Sequence, residues 1–364
     1  MPEKKYRVAV VGGAGTWGRY YLRAFAEHPD CEIVALVDRA RDRRQAFATR
    51  YGIEAVYDTV DELLARDVPD IVSAILPVAY TYDAVIACAE AGVKVVSCEK
   101  PIAAELARAD TMVRICRERG TALGCGTGHW NAPYLQETVE WIRAGNIGPL
   151  TAAAIPRGLV NEVAGGGCAE LTQMRFLTGM EVEWVEGWTL PPLPGYRAQE
   201  ATLDTQVDRP AWGRLGLSGG IVCEICEPPS EPKAVCSGVA TGDNGQVWLS
   251  RPRPVLVQGK GAESTPVFPD FFDAPQPETF FVPVIEQLMS AFDSGEECEC
   301  SGRDYLQALE IAIALVQSAH CNHQRIKLPL EDRSLKIYPH PYRLYGGDEA
   351  GWESIGYAGP PAVA

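Results

Sequence analysis

Three glycines and one acidic residue form the clearest chemical pattern in this sequence. Gly13, Gly15 and Gly18 follow the apolar run 6–11, and Asp38 lies 20 residues after Gly18. At this spacing Gly13 allows a tight turn, Gly15 lets the backbone approach a pyrophosphate, and Gly18 lets a helix pack closely on a strand. The helix N-terminus then favours the bound anion. The pattern predicts a dinucleotide site in which Asp38 accepts hydrogen bonds from the adenine ribose.

The same residues bear on which dinucleotide is bound. A carboxylate at Asp38 repels a 2′-phosphate, so we expect NAD(H) to be favoured. NADP(H) stays possible, because Arg39 and Arg43 stand close enough in sequence to hold that phosphate. The further cofactor contacts that we expect are Thr16, Trp17, Pro77 and Glu99.

A lysine supplies a second candidate reactive group. Lys100 lies within the segment 98–101, Cys-Glu-Lys-Pro, which closes the apolar run 93–97. Open α/β sheets bind their ligands beyond the carboxyl ends of the strands. We therefore predict that Lys100 lies in an active site. The plainer alternative is a lysine that only solvates the edge of the sheet.

These groups need a scaffold, and the hydrophobic pattern predicts one. Apolar runs alternate with helical segments over residues 1–125, and their continuity is typical of parallel strands that are covered on both faces. This predicts an α/β doubly wound Rossmann domain. Residues 126–338 carry strand-like runs between Pro- and Gly-rich loops, which predict an α+β domain with a mostly antiparallel sheet. Residues 339–364 are predicted to form an extended C-terminal tail that wraps another part of the molecule.

Composition excludes several classes of partner. The 364 residues carry a net charge of −15 and are 46% hydrophobic, which argues against nucleic acid or an anionic membrane as a partner. No run is long enough to span a bilayer, and the N-terminus leaves no room for a signal peptide, so we expect a cytoplasmic protein. The 12 cysteines are scattered. We expect reduced, packed thiols and no metal site.

The glycine loop, the Glu-Lys-Pro segment 99–101 and the segment 142–148 resemble the glucose-fructose oxidoreductase and inositol dehydrogenase family, called Gfo/Idh/MocA. The resemblance extends from about Tyr6 to Leu330. It implies an open-faced sheet in the second domain, whose back forms the interface of a homodimer or homotetramer. It also implies oxidation or reduction of secondary alcohols of sugars and cyclitols, with Lys100 contacting both the substrate hydroxyl and the nicotinamide ribose of the cofactor and assisting proton transfer.

The chain departs from that family at its acid–base motif, Gly-Thr-His-x-x-Asp. The matching segment 167–172 has Ala169 at the histidine position and Thr172 at the aspartate position, and none of the five histidines lies between residues 130 and 319. His129 is the alternative acid–base group, because an imidazole titrates near neutral pH. The alternative role for His129 is a hydrogen bond to the cofactor or to the backbone. The candidate substrate contacts are Tyr80, Tyr82, Asn131, Glu170 and Gln173.

The leading hypothesis is an NAD(P)-dependent oxidoreductase that transfers hydride between nicotinamide and a polar, sugar- or cyclitol-like alcohol or ketone. Two alternatives stay open. The segments 15–18 and 21–25 also resemble thiazolinyl imine reductases, which implies reduction of a C=N bond. The missing histidine is compatible with a redox-neutral or non-catalytic homologue that still binds NAD.

Overall fold

The computed structural model describes residues 5–126, 132–193, 207–229, 236–355 and 357–363. These residues form two compact units. Unit 1 comprises the described parts of Met1–Thr127, Phe281–Leu306 and His340–Ala364, and unit 2 comprises those of Gly128–Phe280 and Gln307–Pro339. The grouping differs from the three consecutive segments that we expected, because two later stretches of chain belong to unit 1.

Numbered along the chain, the strands are β1 (Tyr6–Val11), β2 (Cys31–Val37), β3 (Val56–Tyr57), β4 (Ile71–Ala74), β5 (Val95–Cys98), β6 (Ala122–Cys125), β7 (Leu150–Ile155), β8 (Val182–Thr189), β9 (Ala211–Leu217), β10 (Ile221–Ile225), β11 (Val239–Gly242), β12 (Gly245–Trp248), β13 (Val255–Gln258), β14 (Thr265–Val267) and β15 (Ile326–Lys327). The α-helices are α1 (Gly18–Glu27), α2 (Arg41–Tyr51), α3 (Val60–Leu64), α4 (Val78–Ala91), α5 (Leu106–Arg119), α6 (Leu135–Arg143), α7 (Cys168–Thr178), α8 (Phe281–Ser294), α9 (Gly302–His320), α10 (Pro341–Tyr345) and α11 (Gly347–Ala350).

Unit 1 is built on a six-stranded parallel sheet in the order β3-β2-β1-β4-β5-β6. Every residue of β4 and β5 is buried, as expected for strands with helices on both faces. Helix α8 packs on the sheet and on α1. The strand order reverses between β1 and β4, which is the point where such folds bind dinucleotides. The prediction of a Rossmann domain is confirmed.

Unit 2 contains a nine-stranded sheet in the order β14-β13-β12-β11-β7-β10-β9-β8-β15. Strands β7 and β10 pair in parallel, and the other neighbours pair antiparallel. Helix α7 packs against β7. The prediction of an α+β unit with a mostly antiparallel sheet is confirmed.

The prediction of an extended tail is wrong. Residues 340–355 form α10, α11 and the 3-10 turn Trp352–Ile355. His340 caps α10 by accepting a hydrogen bond from the Tyr342 N–H at 3.3 Å, and Pro341 occupies a first-turn position where its missing N–H costs nothing. Helices of five and four residues are too short for hydrophobic periodicity to reveal. Within the described residues, no helix is both long and apolar enough to cross a membrane.

Candidate functional site

The turn between β1 and α1 is held by its two neighbouring strands. The Gly12 N–H donates to the Val37 carbonyl at 2.7 Å, and the Ile75 N–H donates to the Val11 carbonyl at 2.8 Å. Gly12 has a φ of 75°, and a Cβ there would lie 2.2 Å from the Ile75 carbonyl oxygen. The left-handed turn residue is therefore Gly12 and not Gly13, to which the sequence pattern assigned it. A glycine is needed at position 12, because the Ile75 carbonyl oxygen occupies the space that a Cβ would take.

The three fingerprint glycines differ in how little space the fold leaves for a side chain. A Cβ on Gly18 would lie 2.0 Å from the Gly12 carbonyl oxygen, so α1 starts directly against the turn, as expected. A Cβ on Gly13 would lie 2.5 Å from Leu36 Cδ1 and 2.9 Å from Leu22 Cδ1. At Gly15 a Cβ would meet only the Gly12 carbonyl oxygen, at 3.2 Å. The fold itself therefore makes little demand for glycine at position 15, and the close approach of a ligand explains it better.

Asp38 follows β2 and fixes the glycine loop from the other side. One carboxylate oxygen accepts from the Ala14 N–H at 3.0 Å, and the other accepts from the Ala40 N–H at 2.8 Å. Burial raises the pKa of Asp38, while these two N–H groups and Arg43 act to lower it. A carboxylate has about four acceptor positions, so two donors leave capacity for ribose hydroxyls.

Lys100 lies just beyond β5 and is held by its neighbour. Its Nζ donates to Glu99 Oε2 at 2.8 Å, and the Tyr21 hydroxyl donates to Glu99 Oε1 at 3.1 Å. The same Nζ is 5.4 Å from the centre of the Trp17 ring. The side chains of Lys100 and Glu99 are only 14% and 11% exposed. The ammonium is therefore fixed in a mostly desolvated position and does not merely solvate the sheet edge.

Tyr21 is a residue that the sequence reasoning missed. It is fully buried, and burial and the adjacent Glu99 hold the pKa of its phenol well above the usual value. A Cβ on Gly126 would lie 1.7 Å from the Tyr21 hydroxyl oxygen, so a glycine is required opposite it. Tyr21 thus supports Glu99 from a distant point in the sequence, and Gly126 leaves room for the Tyr21 hydroxyl.

A cavity of about 420 Å³ opens over the glycine loop of unit 1, within the size range of small-molecule sites. Nearly all of the predicted cofactor residues line it, together with one predicted substrate residue: Gly15, Thr16, Trp17, Gly18, Asp38, Arg39, Pro77, Glu99, Lys100 and Tyr80. Gly13 does not line the cavity. Asp348, Glu349 and Trp352 of the C-terminal tail complete one wall, which the sequence reasoning did not foresee.

Tyr82 does not line this cavity. Helix α4 begins at Val78, so Tyr80 and Tyr82 both lie on it. Residues two apart on a helix are rotated by about 200°, and their side chains leave on opposite sides. Tyr82 lies against Arg108, whose guanidinium is 5.3 Å from the ring centre. His129 and Asn131 lie outside the described residues.

Unit 2 carries the remaining predicted residues on α7. Glu170 is half-buried, and burial raises the pKa of its carboxyl group, while Gln173 is buried. At the two positions where the family has its acid–base pair, Ala169 has no titratable side chain, and the Thr172 hydroxyl donates to the Cys168 carbonyl at 2.9 Å.

The buried carboxyl group of Asp208 contacts the segment 163–165, which leads into α7. Asp208 accepts hydrogen bonds from four backbone N–H groups at 2.9–3.2 Å, those of Val163, Ala164, Gly165 and Arg209. Burial and the neighbouring Glu162 raise its pKa to about 8. Sequence reasoning missed this residue, because it belongs to no motif.

Comparisons with known proteins bear on both units. Residues 6–127 match a family model described as an oxidoreductase family with an NAD-binding Rossmann fold. D-glucoside 3-dehydrogenase of Escherichia coli (strain K12) is 30% identical over 160 residues, which are 43% of this chain and 45% of that protein. Inositol 2-dehydrogenase of Rhizobium meliloti is 26% identical over 336 residues, 84% of this chain and 94% of that protein. The chain spans less than half the length of the first of these relatives.

The fold of the whole chain has a counterpart among solved structures. The aldose–aldose oxidoreductase from Caulobacter crescentus, solved with glycerol, superposes with a TM-score of 0.70 at 23% identity, covering 89% of this chain and all of that one. The resemblance read from the glycine loop and the Glu-Lys-Pro segment is confirmed by the family match and the relatives. Residues 6–127 therefore carry the NAD-binding Rossmann fold of the Gfo/Idh/MocA oxidoreductase family.

Proposed function

We propose that this protein is an NAD(P)-dependent oxidoreductase that transfers hydride between nicotinamide and a polar, sugar- or polyol-like alcohol or ketone, with NAD(H) favoured. The observation that carries the proposal is one cavity of unit 1 that joins the glycine loop, Asp38 and the fixed ammonium of Lys100. The names of the relatives, a glucoside dehydrogenase and an inositol dehydrogenase, support the substrate class.

The residues present fit a dinucleotide. Gly15 leaves the loop backbone open to a pyrophosphate, and the N-terminus of α1 directs its free N–H groups and positive dipole towards the same loop. Asp38 is anchored by two backbone donors and retains acceptor capacity for ribose hydroxyls. The nicotinamide would supply the hydride chemistry, and the protein would supply placement and electrostatics.

Lys100 would act on the reacting oxygen of the substrate. Its ammonium can donate a hydrogen bond to a carbonyl that is being reduced, or stabilise an alkoxide that forms during oxidation. Glu99 fixes the ammonium at 2.8 Å, so little reorganisation is needed when charge develops on the oxygen. Such preorganised donors typically contribute about 10²–10³ in rate.

The acid–base partner remains part of the proposal. His129 is the candidate from the sequence, and Glu170 on α7 stays a proposed substrate contact. Ala169 at the usual histidine position favours a second candidate function, a homologue that binds NAD without net turnover. The relatives found give no support to imine reduction.

A homodimer or homotetramer formed through the nine-stranded sheet is also proposed, and light scattering on the purified protein tests it.

The test combines binding with turnover. Wild type, Lys100→Ala and the control Lys94→Ala, an exposed lysine six positions earlier, are titrated with NADH and then assayed with NAD and a panel of sugars, cyclitols and polyols. We expect all three proteins to bind NADH and turnover to fall by about 10² or more only in Lys100→Ala. Binding without turnover on any substrate in wild type would favour the second candidate, and absence of NADH binding would overturn both.

A further inference from the structure

The C-terminal tail forms part of the nucleotide cavity of unit 1. The tail segment, defined here as residues 340–352, contains α10 and α11 and ends at Trp352. It is seated closely on the cavity rim, since a Cβ on Gly346 would lie 2.8 Å from Pro77 Cγ. Gly347, Asp348, Glu349 and Trp352 all line the cavity.

Asp348 pairs with Arg43 in a fork-to-fork arrangement. Two guanidinium nitrogens of Arg43 lie 3.1 and 2.5 Å from the two carboxylate oxygens of Asp348. Trp352 Nε1 donates to the same carboxylate at 3.1 Å. Burial acts to raise the pKa of Asp348, but Arg43 and Trp352 outweigh it and the pKa is lowered. The bidentate geometry adds geometric specificity to these charge-assisted hydrogen bonds.

Glu349 takes the second arginine. Arg39 donates to Glu349 Oε1 at 3.2 Å, and the Tyr80 hydroxyl donates to the same oxygen. The guanidinium of Arg39 also lies 4.1 Å from the centre of the Tyr80 ring. Glu349 therefore meets a guanidinium and a phenol together, and both of these groups belong to the cavity wall.

These pairs bear on the adenosine end of the cofactor. Arg39 and Arg43 follow the ribose-binding Asp38, and an arginine at such a position is what accommodates the 2′-phosphate of NADP in Rossmann folds. A phosphate monoester carries about 1.5–2 negative charges at neutral pH. Here both guanidinium groups are already neutralised, so the phosphate would meet three carboxylates, those of Asp38, Asp348 and Glu349.

We propose that Asp348 and Glu349 determine cofactor selectivity, by occupying the two arginines that would otherwise hold a 2′-phosphate. The inference rests on the proposed function, because it presupposes that a dinucleotide binds in this cavity. It adds that selection against NADP resides in the C-terminal tail as well as in the residue at the end of β2. Asp38 alone is then insufficient to explain a preference for NAD.

The isosteric double variant Asp348→Asn with Glu349→Gln removes both charges and keeps the size of the side chains. The dissociation constants of NAD and NADP are measured for it by calorimetry, beside wild type and Glu353→Gln, an exposed tail carboxylate that does not line the cavity. We expect NADP to bind at least about tenfold more tightly and NAD to change by less than about threefold. The Glu353→Gln control should leave both affinities unchanged.

A second measurement asks whether the gain in NADP affinity can be reversed. Adding Arg39→Ala and Arg43→Ala to the double variant should abolish the gain in NADP affinity, because both of the groups that were released are then removed. The single variants Asp348→Asn and Glu349→Gln keep the test available if the double variant is unstable. A tail that is only structural would lower the melting temperature of the variants without moving the NADP-to-NAD ratio.

Two failures can be told apart. If wild type binds neither dinucleotide, the proposed function fails. If wild type binds NAD but the ratio of NADP to NAD affinity is the same in the double variant, the proposed function stands and the role of the tail is refuted. Persistence of the gain after removal of both arginines would likewise overturn their assignment to the 2′-phosphate.

Discussion

Adding a methyl group to each of two glycines in the same loop should have different effects. Gly18→Ala should lower the stability of the fold, whereas Gly15→Ala should lower the affinity for NADH. In Gly18→Ala the new Cβ would lie 2.0 Å from the Gly12 carbonyl oxygen and 2.7 Å from Gly13 Cα. Both obstacles are backbone atoms, which cannot swing away as a side chain can. Overpacking costs about 1–3 kcal/mol, and rigid obstacles place this case near the upper end. For a domain of 150–250 residues, we expect the melting temperature to fall by roughly 4–10 °C.

In Gly15→Ala the new Cβ meets one atom at 3.2 Å, the Gly12 carbonyl oxygen, which needs to move by only a few tenths of an ångström. We expect the melting temperature to stay within about 2 °C of wild type. NADH affinity should nevertheless fall, because the methyl group occupies space that the pyrophosphate needs. A steric penalty of about 1–3 kcal/mol corresponds to a dissociation constant that is roughly 5- to 150-fold larger.

Thermal unfolding and NADH fluorescence titration, performed on both variants, separate the two effects. Gly359→Ala is the control, since a Cβ there meets nothing within 4 Å. Unaltered NADH affinity in Gly15→Ala would refute the assignment of this loop to the pyrophosphate. A loss of stability in Gly15→Ala as large as that in Gly18→Ala would refute the packing argument.

Further predictions concern both units. Tyr21→Phe should lower kcat while NADH affinity is kept, because Glu99 loses the hydroxyl at 3.1 Å that fixes it, and chemical unfolding should show a loss of about 0.5–1.5 kcal/mol. Gly126→Ala should be more destabilising, by about 1–3 kcal/mol in the same unfolding experiment, because its Cβ would lie 1.7 Å from the Tyr21 hydroxyl oxygen. Asp208, whose pKa is raised from 3.8 to about 8, stabilises the fold most when it is neutral. Its contribution should therefore be complete below about pH 4 and be lost as the pH rises through about 8. Unfolding of Asp208→Asn followed across this range should show a flatter pH dependence than wild type, whatever its absolute stability, and an equal slope would contradict the assignment.

The parts of the site that the sequence could predict are those encoded by short, contiguous patterns. Gly15, Gly18 and Asp38 have fixed spacings because one turn and one neighbouring strand place them together. Lys100 follows directly from the end of a buried strand. For these residues, local chain direction alone determines which edge of the sheet they reach.

The rest of the site depends on contacts between distant segments. Tyr21 supports Glu99 from 78 positions away, and Asp348 reaches Arg43 across 305 positions. The hydrophobic periodicity of a single segment carries no information about pairs of residues that are so far apart in the sequence. The turn was assigned to Gly13 because the fingerprint places a glycine there, whereas the obstacle that decides, the carbonyl of Ile75, comes from β4 and its connection. The helices of the tail were missed for a different reason, because helices of five and four residues are too short for hydrophobic periodicity to reveal.

The most direct test of the central claim is the absorbance of reduced nicotinamide when purified protein is mixed with NAD and a panel of sugars, cyclitols and polyols, and with NADH and the corresponding ketones. We predict hydride transfer with at least one of them, lost in Lys100→Ala while NADH affinity stays within about threefold of wild type. Turnover in Lys100→Ala at the wild-type rate, or NAD binding by wild type without hydride transfer to or from any of these substrates, would contradict the account.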